Sequence, residues 1–298
     1  MKILITGANG QLGRELITMI KAGSSEIGLI GDAYKQCEII PVDIDTMDIT
    51  DYTSVLRKFL YEQPDMVINC AAFTNVDACE SNVEIAYKVN VIGTANLAKA
   101  SETVGAKFLH LSTDYVFNGM AKEPYREYDQ PDPQSIYGFT KKQAEIYVQQ
   151  FCSKYFIVRT AWLYGTEGNN FVKTILRISQ QNPSIKVVND QVGNPTNAND
   201  LSHHILKILL SEDYGIYHVT GKGICSWFDL AKKIVELAEI NCEVVPCSTD
   251  EFPRNAKRPA YSALDHLMLR CTIGDEMRDW EEAIYAYIVN SNKSYLIK

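Results

Sequence analysis

Met1-Lys2-Ile3-Leu4-Ile5-Thr6-Gly7-Ala8-Asn9-Gly10-Gln11-Leu12-Gly13 is the stretch that decides the fold. Lys2 to Thr6 reads as a buried strand. The chain then enters Gly-x-x-Gly-x-x-Gly and a helix from Arg14. Glycine permits the tight turn and lets the backbone approach a pyrophosphate, whose charge the first helical amides face. A glycine pattern alone is weak evidence and could be a plain turn; strand, turn and helix in one run are stronger. The expectation is a dinucleotide cofactor over Gly7, Gly10, Gln11, Leu12 and Gly13.

Outward from that turn, short apolar runs alternate with helical patterns. Strands are expected at Lys2 to Thr6, Glu38 to Val42, Met66 to Cys70, Lys107 to Ser112 and Phe156 to Arg159. Helices are expected near 12–22, 51–62, 83–104 and 137–152. Such alternation predicts an α/β fold: a Rossmann-type doubly wound parallel sheet covered on both faces. Residues 24–36 fit neither pattern and read as an irregular excursion. The second half predicts helices at Asn170 to Gln181, Asn199 to Ser211 and Trp227 to Ile240, with Ser226 as N-cap. Its short strands are expected at Ile185 to Val188, Ile216 to Val219 and Glu243 to Pro246. Residues 1–165 with about 185–212 are assigned to the cofactor domain. A smaller C-terminal α/β substrate domain takes about 166–184 and 213–298.

Composition narrows the class. In 298 residues, 46% are hydrophobic and 22% charged, which suits a soluble enzyme. A net charge of -8 argues against a nucleic-acid partner. No run is long and apolar enough to span a membrane, and the N-terminus is too short before Gly7 for a signal peptide. Eight cysteines without a Cys-x-x-Cys suit a reduced, cytoplasmic protein. Five histidines without His-x-x-x-His give no zinc pattern.

The strand ends carry the chemistry. Asp43 follows the second strand, where an acid would bind the adenosine ribose and repel a 2′-phosphate. That favours NADH over NADPH. Asp43 comes about 30 residues after the last glycine instead of about 20, a delay the 24–36 excursion accounts for, and Asp45 is its rival. Asp48 and Ile49 are candidates for adenine, while Thr50 or Asp51 could be a helix cap. Small residues at Asn69-Cys70-Ala71-Ala72-Phe73-Thr74 leave room for a ligand over the sheet edge. Asp77 and Glu80 beyond them read as a solvated helix start. The fourth strand ends in Leu111-Ser112-Thr113-Asp114, offering hydroxyls about 25 residues before Tyr137. Tyr137 and Lys141, four apart on a helix, share a face. An ammonium there would lower the phenol's pKa and make it a proton donor for a carbonyl.

Gly7 to Gly13, Thr113 and Tyr137-x-x-x-Lys141 together resemble the extended short-chain dehydrogenase/reductases. The finer pattern is similar to the dTDP-4-dehydrorhamnose reductase family over essentially the whole chain. It includes Thr113-Asp114-Tyr115-Val116-Phe117, Glu145, Arg159-Thr160-x-Trp162, Gly168-Asn169-Asn170-Phe171, Asn189-Asp190-Gln191 and Arg258-Pro259. The resemblance implies that Tyr137 protonates a 4-keto oxygen, that Lys141 lowers its pKa and holds the nicotinamide ribose, and that Thr113 hydrogen-bonds the same oxygen. It implies cofactor contacts at Gly7, Gly10, Gln11, Leu12, Gly13, Asp43, Asp48, Ile49, Ala71, Ala72, Phe73, Thr74, Leu111, Tyr137 and Lys141. Substrate contacts fall on Thr113, Asp114, Val116, Phe117, Tyr137, Trp162 and Arg258. Trp162 could instead be a core aromatic, and Arg258 a surface cation. Some relatives hold Mg2+ at a dimer interface through glutamates. Glu15 fits one such position, but Asn199 stands where a second acid is expected, which argues against that metal here; a homodimer is left open. Alternatives are another reductase, an epimerase or a dehydratase of this superfamily, or a regulatory subunit of methionine adenosyltransferase. Tyr115 after Asp114 removes the second carboxylate a dehydratase needs.

Overall fold

The computed structural model describes residues 1–295. Six short runs form one parallel sheet: β1 Lys2–Thr6, β2 Glu38–Val42, β3 Met66–Asn69, β4 Lys107–Thr113, β5 Tyr155–Thr160 and β6 Gly215–His218. Their order is β2-β1-β3-β4-β5-β6, each pair parallel. The α/β sheet class is therefore as expected. Alternation along the strands sends side chains to opposite faces. Ile3, Ile5, Ile68, Leu109 and Val158 pack in one apolar core with the helices Gln11–Ala22 and Ala198–Leu210. Leu4, Val67, Phe108 and Ile157 pack in the other with Tyr52–Glu62 and Thr94–Val104. Apolar runs without polar alternation follow from burial on both faces.

The strand order reverses between β1 and β3, and a crevice opens there at the strands' carboxyl ends. Gly7 turns the chain with φ of 63°, and a Cβ there would stand 2.8 Å from Ala71 N. The turns leaving β1 and β3 are thus packed back to back. Between Val83 and Val104 the helical run contains one wider turn, Lys88–Gly93. Asn90 lies in it and grips the β3 loop: its Oδ1 accepts from Phe73 N at 2.7 Å, and its Nδ2 donates to Thr140 Oγ1 at 3.0 Å. Wider turns of this kind recur at functional sites.

The smaller lobe gathers the helices Phe171–Gln181, Trp227–Leu237 and Trp280–Tyr295 around Val172, Ile175, Leu230, Ile234 and Ile284. Ser226 caps the second of these in a reciprocal pair with Asp229. Two parallel strands, Ser184–Val188 and Glu243–Cys247, complete the lobe. The expected domain boundaries need correction here. Residues 185–188 pair inside the small lobe, and Gly215–His218 pairs with β5 in the large sheet. Both runs are short and mixed, Ile-Lys-Val-Val and Gly-Ile-Tyr-His, so composition could not assign them to a sheet. Residues 24–36 form a small hairpin and a turn, docked on the helix Ala198–Leu210 through Ser25–His203 and Tyr34–Leu206 hydrogen bonds. No helix among the described residues is long and apolar enough to cross a membrane.

Candidate active site

The crevice has a volume of about 920 Å³. Its nucleotide end is lined by Gly7, Gly10 to Gly13, Asp43, Asp48, Ile49 and Ala71 to Thr74. The helix from Gln11 carries neither a side-chain cap nor an acid in its first turn, so its leading amides are free for an anion. Asp43 is held at the rim, accepting from Asn9 N at 2.9 Å and Ile44 N at 2.8 Å. Asp45 does not line the crevice. Asp48 turns inward on Thr50, whose N–H and hydroxyl both donate to it and hold its carboxyl below the usual range. Asp51 is the helix cap, accepting from Thr53 N. Gln11 Oε1 accepts from Asn170 Nδ2 at 3.1 Å, which ties the glycine turn to the small lobe.

Thr113, Asp114, Tyr137, Lys141 and Trp162 converge at the other end. Ser135 caps the helix Ile136–Phe151 through Gly138 N. A Cβ at Gly138 would stand 2.1 Å from Tyr115 O. Only glycine lets this helix press against the turn Asp114–Val116, which puts the Tyr115 and Tyr137 rings edge to face at 5.6 Å. Thr113 Oγ1 donates to Asp114 Oδ1 at 3.0 Å and accepts from Tyr115 N. Burial pushes Asp114 up to about 6, against the pull of the Ser262 and Thr113 hydroxyls. Its Oδ2 is buried without a well-formed hydrogen bond.

Lys141 departs from the expectation. Its nitrogen donates to Leu111 O at 2.6 Å and meets His110 Nε2 at 3.2 Å. Desolvation pushes the Tyr137 phenol well above its ordinary value, Asp114 adds to the rise, and the Thr113 hydroxyl opposes it. The Lys141 nitrogen is instead engaged by the carbonyl and the imidazole of β4. Against the lowering expected from the Tyr137–Lys141 spacing, burial is the dominant influence on the phenol in this structure and acts upward. Shared helix face did not mean contact.

Three substrate assignments also change. Val116 and Phe117 do not line the crevice; they form a small apolar cluster with Tyr125 and Leu264, Phe117 stacking on Tyr125 at 4.2 Å. The turn after Thr113 carries both side chains away from the ligand side. Arg258 is likewise outside the lining and is not a surface cation: its Nη2 donates to Asp77 Oδ2 at 2.8 Å, and its Nη1 is buried without a partner. Asp77 and Glu80 are therefore more than a solvated helix start, since Glu80 Oε1 accepts from Ile136 N at the head of the Tyr137 helix.

Two features escaped the sequence. Trp162, with φ of 48°, stacks on Trp227 at 3.6 Å, and both line the crevice. Trp227 gave no signal beyond following an N-cap serine. The second is a buried polar frame. Glu145 binds Arg159 through two contacts, 2.9 and 2.7 Å, and Ser112 donates to it at 2.5 Å. Glu15 accepts from Asn199 Nδ2 at 2.6 Å, so the asparagine at the expected acid position is a donor to that glutamate.

A parallel sheet with a glycine turn at its switch point, and Thr, Tyr and Lys at one crevice, defines an extended short-chain dehydrogenase/reductase. Residues 1–292 match the family model described as the RmlD substrate binding domain. The chain is 40% identical over 287 residues, 96% of each chain, to the spore coat polysaccharide biosynthesis protein SpsK of Bacillus subtilis (strain 168). It also resembles two crystal structures. The dTDP-4-dehydrorhamnose reductase of Clostridium acetobutylicum ATCC 824 is 49% identical with a TM-score of 0.92, covering 97% of this chain and 99% of that one. The enzyme of Bacillus anthracis str. Ames, in complex with NADP, is 42% identical with a TM-score of 0.91 at the same coverage. The chain belongs to the dTDP-4-dehydrorhamnose reductase family and is an oxidoreductase of that family.

Proposed function

We propose that this protein reduces the 4-keto group of dTDP-4-dehydro-6-deoxy-L-mannose to give dTDP-L-rhamnose. The observation that carries this is the Asp114-Tyr115 pair beside Tyr137. A dehydratase needs a second carboxylate there, and a phenol edge-on to Tyr137 occupies the place. The open helix amides and the glycine turn fit a dinucleotide, and bound NADH or NADPH supplies the hydride. Asp43, fixed by two backbone amides, disfavours a 2′-phosphate, so NADH is the preferred donor. NADPH is accepted as a second donor, a reading supported by the NADP in the Bacillus anthracis relative.

Tyr137 gives its proton to the sugar oxygen as charge develops there. Its raised pKa keeps it protonated at neutral pH, as an acid must be. Transfer remains downhill because an alkoxide is about as basic as hydroxide, whose parent water has a pKa of about 15.7. Thr113 can donate to the same oxygen once its hydroxyl turns from Asp114 Oδ1. Trp162 and Trp227 offer a flat apolar wall to the sugar nucleotide.

The test is turnover of that keto sugar with NADH, followed by absorbance and by identification of the sugar product. One NADH consumed per rhamnosyl nucleotide formed is expected. Conversion without net NADH loss would overturn the proposal in favour of an epimerase or dehydratase, which return the hydride internally.

A further inference from the structure

The indole of Trp162 stands where its backbone does not favour it. Trp162 lies two residues past the end of β5, with φ of 48°. In that left-handed region a bulky residue is an outlier, and it persists only where its surroundings over-determine it. Three contacts fix Trp162 there. Its carbonyl accepts from Thr196 N at 3.2 Å. Its indole lies close against Gly193, where a Cβ would stand 2.9 Å from the ring. Its ring stacks on Trp227 at 3.6 Å between centroids, with 8° between the planes. The last two contacts come from one short ladder. Val192–Gly193 pairs antiparallel with Cys225–Ser226, Gly193 opposite Cys225, and Trp227 follows directly. The ladder thus meets the indole at two places. Trp227 is itself held from behind. Ser226 and Asp229 cap its helix reciprocally, and the Phe171 ring packs on it at 4.4 Å. Phe171 opens a helix capped by Asn170, whose amide also donates to Gln11 in the glycine turn.

We propose that Trp227 is a positioning residue for substrate binding: its stack holds the Trp162 indole, against the strain of its own backbone, as one wall of the reacting end. The other two contacts do not set the plane of that ring. Gly193 leaves room for the indole but offers it no face, and the Thr196 amide fixes only the carbonyl. The flat partner is Trp227. It belongs to the small lobe, whereas Trp162 leaves the large sheet, so the wall takes its shape from the way the two meet. The same glycine also sets the polar side of the site. Ser262 Oγ stands 2.9 Å from where a Gly193 Cβ would be, and this hydroxyl is one of the two that reach Asp114. Indole and carboxylate support are therefore packed around one small residue. An apolar face beside Asp114 and Tyr137 suits the apolar side of a sugar ring. That consequence for the sugar rests on the proposed reductase function; the hold on Trp162 does not.

The test starts with a crystal structure of the full-length Trp227→Ala protein. Trp162 should leave the left-handed region for a negative φ, and its ring should leave the crevice wall. Trp162 still near 48° overturns the proposal, whether or not the keto sugar is a substrate. The second arm is kinetic. Trp227→Ala should raise KM for the keto sugar about tenfold, with kcat within about threefold of wild type and NADH affinity unchanged. Trp227→Phe, which keeps a flat face, should restore KM to within about threefold of wild type. Trp227→Leu, which keeps apolar bulk without a flat face, should not. A merely structural role would lower stability, spare KM and be rescued by leucine as well as by phenylalanine. Rescue by leucine, or an unchanged KM in folded Trp227→Ala, counts against the proposal. If the alanine variant does not fold, Trp227→Leu takes its place in both arms, and Trp162 must relax there too. A wild type inert towards the keto sugar, with Trp162 relaxed in the variant, sinks the reductase reading and leaves the positioning role standing.

Discussion

The two ends of the crevice are built from different material. At the nucleotide end the floor of the crevice is backbone and small side chains, Gly7, Gly10, Gly13, Ala71 and Ala72, with Asp43 and Asp48 at its rim. At the reacting end it is a set of large polar side chains, each fixed by others behind it. Lys141 leans on His110 and Asn69, and Ser112 on Glu145 and Arg159. The first kind of surface fails one contact at a time. The second is a network in a low-dielectric interior, where loss of one member strands its partners. Variants at the two ends should therefore differ in kind as well as in size.

Tyr137→Phe should show the largest effect, a loss of about 10²- to 10⁴-fold in kcat. NADH affinity, read by fluorescence titration, should stay close to wild type; retention of most of the rate would remove Tyr137 as the acid. Glu145→Ala should cost about 3–5 kcal/mol of stability, because it leaves the Arg159 guanidinium buried and unpaired. Urea unfolding measures this, and a loss below about 1 kcal/mol would mean that the reacting end is no tighter than a surface pair.

Asp114→Asn sharpens the contrast through pH. The folded pKa of Asp114, about 6, lies above the ordinary carboxylate value, so the native state binds this proton more tightly than the unfolded chain does. This group's contribution to stability is therefore full below about pH 4 and is lost as pH rises through 6. The asparagine variant should be more stable than wild type at pH 8, by up to about 3 kcal/mol, and the gain should vanish near pH 4. An equal gain at both pH values would dissociate it from the carboxylate's charge. Asp43→Ala belongs to the other end and should do least. It should move the NADPH-to-NADH ratio of kcat/KM by about tenfold, roughly 1.4 kcal/mol, with about 1 kcal/mol lost in stability as two exposed backbone amides lose their acceptor. A fixed ratio would refute the role of Asp43 in choosing the cofactor.

The same contrast divides what could be read from the sequence. The glycine turn was legible because strand, turn and helix are contiguous, and Tyr137 and Lys141 because their spacing is local. His110, Asn90 and Trp227 were not, since each meets its partner across a long separation in the chain. Proximity along the chain also misled. Val116 and Phe117 follow Thr113 and Asp114 directly, yet one short turn sends them into a separate core. Tyr137 and Lys141 share a face but not a hydrogen bond, because Leu111 and His110 reach the lysine first.

The sixth strand has a consequence in covalent terms. The chain leaves the small lobe after Ser184–Val188, lays Gly215–His218 on the edge of the large sheet, and returns to pair Glu243–Cys247 with the strand it left. The lobe cannot be cut away or grafted as one contiguous piece. A truncation that ends before residue 215 would remove half of its small sheet and also bare the β5 edge. Exchange of substrate lobes between relatives must therefore carry the sixth strand with it, or rejoin the chain on both sides of it.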